Sequence, residues 1–333
     1  MKKSNLLSYF LLLLGISVLI YFLTTLDINS VKIGLKSLDG FAILFILFLT
    51  FLTVVIKAFR WQYLIVKATG KEITGWFSFL SIIAGVAVGS ITPARAGEVA
   101  KPIMLKNTYG IRISETLSFV FSERAFDLLA LIALFFLGLL FLPLKLGVYR
   151  FYTGILFSLF ILLILILFIF PKHFKILLDF FIQKLCPDKW KLKCLDLNKS
   201  VFAGFSVLKK KDVAIMMVLT SFLSMVVEVF RLLFILTILG VNVNFWSVSF
   251  AFAVSVIFGI LTMVPGGIGT TEVSQMAVLG TIIGLSNTNL LKLGVLLDRF
   301  FAYYLLVGIG SVVLIGTQKW KKKKTFFNCT LLQ

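Results

Sequence analysis

Hydropathy divides the chain into a succession of apolar runs separated by short polar stretches. The runs are about 20 residues long, which as helix at ~1.5 Å per residue is enough to cross a hydrocarbon layer ~30 Å thick. The pattern predicts spans at roughly Leu6 to Leu23, Phe41 to Leu64, Glu115 to Leu142, Phe151 to Phe170, Val213 to Leu239 and Leu293 to Gly316. Two further apolar stretches, about Trp76 to Ile91 and Trp246 to Val264, end in glycine- and proline-rich sequence instead of a charged cap. Such residues interrupt a helix and leave amides and carbonyls that lipid cannot satisfy, so their surroundings must be protein or water. The expected fold is all-α: a polytopic transmembrane bundle of six to eight spans, with two re-entrant or broken helix hairpins.

Composition points the same way, because hydrophobic residues make up 60% of the 333 and mean hydropathy is +1.06. A soluble fold would leave most of these runs without a core large enough to bury them. Basic residues cluster at Lys2-Lys3, at Lys57, Arg60, Lys67 and Lys71, between Lys172 and Lys211, and from Lys319 to Lys324. The positive-inside rule assigns these segments to the cytoplasm of a multi-pass cell-membrane protein, with both termini inside and an even number of crossings. Six spans are favoured, each glycine/proline stretch entering and leaving on one side; eight result if the second crosses twice, through Val273 to Leu285. No cleavage pattern follows Leu23, so the first span is expected to remain as an anchor.

The whole chain is then one membrane domain. Residues 1–142 form a first repeat, 143–212 a fourth span and basic loop, 213–316 the rest of a second repeat, and 317–333 a basic tail. The division rests on a doubled pattern. An arginine within an apolar run (Arg60 in KAFRW, Arg231 in EVFRL) precedes a proline-glycine break followed by a glutamate (PARAGE, with Arg95 and Glu98; PGGIGTTE, with Glu272). An acid-arginine pair then opens the next run, Glu123-Arg124 in one copy and Asp298-Arg299 in the other. The spacings run 33 residues from Arg60 to Pro93 and 31 on to Arg124, against 34 from Arg231 to Pro265 and 34 on to Arg299. With an odd number of spans per half, the copies would be inverted and their breaks would meet from opposite sides, as around the substrate sites of transporters.

Charges deep in such spans cost a few kcal/mol each and normally face a bundle interior or an aqueous cavity. Glu228 and Arg231 share one helical face, and Glu123, Arg124 and Asp127 form an acid-arginine-acid patch. The alternative reading is that these groups neutralise one another as structural pairs. In the first break, Arg95, Glu98 and Lys101 stand where guanidinium and free amides can hold an anion. In the second, Gly266, Gly267 and Gly269 allow close backbone approach, Thr270 and Thr271 offer hydroxyls, and Glu272 adds a carboxylate. Packing between helices is the other use of such glycines.

The motifs PARAGEVAKP, ERAFDLLAL and VPGGIGTTE, in that order, resemble the transmembrane module of lysylphosphatidylglycerol synthases, a flippase-like family, from roughly Phe41 to Gly316. The resemblance implies a lipid-translocating module with re-entrant helices around a central polar cavity. In the complete enzymes that module moves an aminoacylated phospholipid made by a separate soluble domain. Here the chain ends thirteen residues after Trp320, so no synthase activity is expected. Ala94 and Lys101 stand where the family more usually has glycine and arginine, which leaves the headgroup open.

No catalytic motif or cofactor-binding motif is apparent. His173 stands alone, HExxH, GxSxG and DDxxD are absent, and Cys186, Cys194 and Cys329 do not have zinc-site spacing. The net charge of +19 is concentrated next to membrane ends, which fits anionic lipid surfaces at about 1 kcal/mol per charge and not nucleic acid. The expected function is movement of a polar or anionic lipid headgroup, on a phospholipid or isoprenoid lipid, through a cavity lined by the residues above, while the chains stay in the bilayer. A small-anion transporter and a membrane enzyme acting on lipid-linked sugar are the alternatives. Assembly as a homo-oligomer is compatible with the sequence.

Overall fold

The computed structural model describes residues 2–92, 97–142, 210–284 and 288–316, with isolated positions between 155 and 195. Arg95, the basic tail and nearly all of the fourth expected span and basic loop lie outside the described residues. The described elements are all helical. They are α1 (Lys2–Thr24), α2 (Ile28–Lys36), α3 (Gly40–Thr69), α4 (Gly75–Ile91), α5 (Ala100–Tyr109) and α6 (Ile113–Leu140), followed by α7 (Lys211–Ile238), α8 (Phe245–Leu261), α9 (Thr270–Ile283) and α10 (Thr288–Arg299). A π-helical turn, Phe300–Tyr304, continues α10 toward Gly316. Gly40–Thr69, Lys211–Ile238 and Asn289–Gly316 are long and apolar enough to cross a membrane. Helix α6 is 28 residues long but carries Glu115, Glu123, Arg124 and Asp127.

Among the described residues, α3 to α6 and α7 to α10 follow the same element order and share local chemistry. A long helix ends at a left-handed glycine, Gly70 (φ 69°) after α3 and Gly240 (φ 76°) after α7, a conformation that costs glycine no Cβ clash. A polar side chain then caps the next helix. Thr74 Oγ1 accepts from Phe77 N (3.2 Å) at the start of α4, and Asn244 Oδ1 accepts from Ser247 N (2.8 Å) at the start of α8. Both capped helices are 17 residues long and end on a threonine that bonds back to a glycine carbonyl, Thr92 to Gly89 (3.3 Å) and Thr262 to Gly259 (3.1 Å).

Each break then turns the chain back on itself. Tyr109, the last residue of α5, accepts from Thr74 N through its hydroxyl and from Lys71 Nζ through its carbonyl, so α5 ends where α4 began. Gly97 lies against the Val88–Gly89 backbone, and Gly259 of α8 against Thr271 of α9, contacts that a larger residue would block. Spans of 17 and 10 residues in the first hairpin, and 17 and 14 in the second, correspond to ~25 Å or less, short of a full hydrocarbon crossing.

Helices α3 and α7 run antiparallel. Phe45 packs on Phe234, Lys57 pairs with Glu228, Arg60 bonds Ser221 and Tyr63 bonds Asp212, so numbers rise on one helix as they fall on the other. Gly138 of α6 sits on the Phe250 backbone of α8, while Gly310 sits on the Ile83 carbonyl of α4, so each half's last long helix packs on the other half's hairpin. One apolar core gathers Ile46, Leu134, Leu232, Leu236 and Phe252; a second surrounds Trp61, Leu64, Leu105 and Met217. Phe41, Leu44, Phe51, Ile215 and Leu219 stay exposed on the outer faces of α3 and α7, a surface suited to lipid.

For the helices described, limits fall within a few residues of the hydropathy reading, and two features add to it. The short helix α2, set against α10 with Gly34 beside Leu290 and Leu293, has too few apolar positions to register as a run. Helix α1, grouped by order with the first repeat, instead packs on the second break, where Gly15 meets Val264 and the Ile268 carbonyl and Gly269 meets Gly15.

Candidate functional site

The described polar residues of the doubled pattern converge between the halves. In the first, Arg60 of α3 reaches α6, where Glu123 and Asp127 stand one turn apart on one face. Arg60 Nε donates to Glu123 Oε1 (3.1 Å), and Nη1 and Nη2 fork onto Asp127 at 2.6 and 3.3 Å. Nη1 also donates to Ser221 Oγ of α7 at 2.5 Å. Lys101, projecting from the start of α5, donates to Glu123 Oε2 (2.8 Å) and lies 3.4 Å from Glu98 Oε2, its ammonium 5.0 Å from the centre of the Trp61 ring. Arg124 Nε donates to Glu98 Oε2 at 2.8 Å, and Nη2 pairs with Oε1 of the same carboxylate.

The second half repeats the frame. Arg231 Nε of α7 donates to Asp298 Oδ1 of α10 (2.8 Å), as Arg60 does to Glu123, and Arg299 Nε donates to Glu272 Oε1 of α9 (2.9 Å), as Arg124 does to Glu98. Arg299 Nη2 also holds the carbonyl of Gly266 at 3.1 Å, the Tyr304 hydroxyl donates to Glu272 Oε1 at 3.0 Å, and the guanidinium lies 4.7 Å from the Tyr303 ring centre. Between the frames Lys57 Nζ donates to Glu228 Oε1 at 2.5 Å. Each of these two stands three residues before its half's arginine, so matching positions face each other.

The sequence-level pairing changes in one respect. Glu228 and Arg231 share a face but do not bond to each other; Glu228 goes to Lys57 and Arg231 to Asp298. Partners across a bundle depend on how helices meet, which spacing along one helix does not specify. Gly267 and Gly269 are taken up by packing against Thr271 and α1, and Gly266 contributes its carbonyl. The sequence reading missed Ser221, Gln275, Tyr303 and Tyr304. It used Lys57 only for topology, although its place three residues before Arg60 mirrors that of Glu228.

A cavity of about 150 Å³ opens among these groups. Its wall takes Lys57, Arg60, Glu98, Lys101, Arg124 and Asp127 from the first half and Glu228, Arg231, Gln275, Asp298 and Arg299 from the second, with apolar cover from Leu128, Leu131 and Phe252. Glu123 and Glu272 stand outside that lining and bond to Arg60 and Arg299, which do line it. Counted over the bonded set, Lys57, Arg60, Lys101, Arg124, Arg231 and Arg299 are six cations, matched by six carboxylates at Glu98, Glu123, Asp127, Glu228, Glu272 and Asp298. Neutrality explains how so many charges are tolerated at this depth. The match is incomplete in detail: Arg231 Nη2, Gln275 Nε2 and Glu272 Oε2 are buried with no hydrogen-bond partner.

Long apolar helices, paired hairpins and a charge-lined cavity buried between them define a multi-pass helical membrane protein. The chain belongs to the family of the lysylphosphatidylglycerol synthase TM region, whose pattern matches residues 7–310. Similar relatives are archaeal. The "UPF0104 membrane protein PH1989" of Pyrococcus horikoshii is 24% identical over 334 residues, covering 93% of this chain and 97% of the relative. Two "UPF0104 membrane protein" chains of Methanothermobacter thermautotrophicus are 27% and 18% identical, covering 77% and 94% of this chain and 78% and 96% of theirs.

Proposed function

We propose that this chain is a cell-membrane lipid transporter of flippase-like type, which moves a lipid with a polar or anionic headgroup through the cavity between its two halves. The observation that carries this reading is the neutral, largely buried set of arginines, lysines and carboxylates around about 150 Å³ of space. That volume admits several waters or one small headgroup, with the chains left outside. The halves act as an inverted repeat whose breaks are re-entrant from opposite leaflets, with both termini in the cytoplasm. Their hairpins gate the cavity in turn, and basic segments hold the anionic lipid surface. Guanidinium groups take the headgroup anion by forked hydrogen bonds, and carboxylates keep the unloaded cavity neutral. Movement runs down a lipid gradient or is coupled to potential or ions, and the chain performs no covalent chemistry on its substrate.

The test is scrambling of fluorescent phospholipids in vesicles containing the purified chain, beside Arg124→Ala and Arg231→Ala. Translocation by the native chain, reduced at least about tenfold in the variants, is expected if these groups each contribute ~1.4 kcal/mol or more to passage. Rates for the native chain no faster than protein-free vesicles would overturn the reading. Uptake of a soluble anion without lipid movement would assign the cavity to a solute.

A further inference from the structure

The two polar frames differ at two positions. Glu98 and Lys101 are three residues apart on the first hairpin; the matching pair on the second is Glu272 and Gln275. Arg124 and Asp127 are three apart on α6; the matching pair after α10 is Arg299 and Ala302. The second frame therefore lacks one ammonium and one carboxylate that the first contains.

Three buried side-chain atoms without hydrogen-bond partners fall at those two differences. In the first frame Asp127 takes Nη1 and Nη2 of Arg60; in the second, residue 302 has no carboxylate and Arg231 Nη2 is unpartnered, with Arg231 1% exposed. In the first frame the Lys101 ammonium lies between Glu98 and Glu123; in the second, Gln275 Nε2 and Glu272 Oε2 are unpartnered, at 1% and 0% exposure. Arg231, Gln275 and Ala302 all line the cavity. Leaving buried hydrogen-bonding groups unmatched is costly, so an arrangement that does so beside a cavity is suited to a ligand that supplies the match.

We infer that the second half is the ligand-binding copy, and that it takes a zwitterionic group: an anion on Arg231 Nη2 and Gln275 Nε2, in the role of Asp127, with an ammonium toward Asp298 on the cavity wall and the Glu272 carboxylate behind it, in the role of Lys101. Charge supports a zwitterion over a simple anion. The first frame holds Arg60, Lys101 and Arg124 against Glu98, Glu123 and Asp127, and the second holds Arg231 and Arg299 against Glu272 and Asp298, so both are neutral. An anion alone would leave the second frame at −1 in a low-dielectric interior, whereas a paired anion and ammonium preserves neutrality. A phosphate joined to an amine, as in a phosphoethanolamine headgroup, has this chemistry. The inference rests on the transport reading for its source, a lipid, but the site stands on the frame comparison.

The decisive variant supplies the missing pair from the chain itself: Ala302→Asp with Gln275→Lys. In vesicles holding equal amounts of fluorescent phosphatidylethanolamine and phosphatidylglycerol, the native chain is expected to move the zwitterionic lipid at least about tenfold faster. The double variant, eluting as a single species and melting no lower than native, is expected to lose that movement at least tenfold. Unchanged transport in a folded double variant, or equal native rates for the two lipids, would overturn the inference while leaving lipid transport intact. No movement of either lipid by the native chain would overturn the transport reading instead.

A binding measurement on the native chain covers misfolding of the variant and separates lipid from solute. Phosphoethanolamine in excess is expected to raise the melting midpoint by about 2 °C or more, with glycerophosphate and ethanolamine each giving less. Equal shifts from glycerophosphate alone would overturn the zwitterion. Vesicle uptake of phosphoethanolamine without lipid scrambling would keep the site and assign it to a soluble ligand.

Discussion

In one half of the molecule Arg60 donates four hydrogen bonds, to two carboxylates and a serine; at the matching place in the other half, Arg231 donates a single side-chain bond among the described residues. Both arginines are nearly fully buried and both are paired, so burial and pairing alone do not separate them. The difference lies in saturation. The charges of the first frame are matched by one another, while the second is left short beside the same cavity. A buried ion pair is thus weak grounds for assigning function, and an unmatched atom next to one is stronger.

The comparison breaks most visibly under truncation of the two arginines. Arg60→Met strips Asp127 of its forked partner, leaves Glu123 to Lys101 alone, and is expected to cost about 3–5 kcal/mol, read as lost folded yield and a lowered unfolding midpoint in detergent. Arg231→Met strands Asp298 alone and removes an unmatched N–H, so its cost in the same unfolding measurement is expected to be the smaller. Its lipid movement should nonetheless fall at least as far as that of Arg60→Met variants that remain folded. Equal unfolding costs would mean the two frames are equally structural.

A smaller contrast lies in the glycines. Gly266→Ala must hold φ near 66° and place a Cβ against the Tyr303 hydroxyl, with an expected cost of about 1–3 kcal/mol in thermal unfolding. Gly70→Ala has a similar φ with open space around it, so only the left-handed backbone is penalised, at about 1–2 kcal/mol. The least effect is expected at the bridge between halves. Lys57→Glu or Glu228→Lys alone should cost on the order of 1 kcal/mol because both side chains are partly exposed, and the double exchange should recover most of it in a double-mutant cycle.

Much of this arrangement was legible in the sequence, for identifiable reasons. Limits such as Phe41 to Leu64 and Val213 to Leu239 fall within a few residues of α3 and α7, because apolar runs bounded by charge record helices directly. The repeated arginine, break and acid-arginine order singles out Arg60, Glu123, Arg231 and Asp298, which meet in matching pairs across the bundle. What escaped was set by packing between helices: the choice of Lys57 by Glu228, the bond from Arg60 to Ser221, and the seating of α1 on the second break. Gln275 and Ala302 carry no chemical signature of their own; they become informative only once Lys101 and Asp127 occupy the equivalent places.

The lysine facing a glutamate between α3 and α7 bears on how the halves fit together. Two identical half-length chains paired about a two-fold axis would bring that position against itself, lysine to lysine or glutamate to glutamate, and repel. Lys57 against Glu228 is attractive only when the halves have unequal sequences, as within one polypeptide. The pair therefore fixes each half in its own place: neither could be exchanged for a second copy of the other without setting like charges face to face.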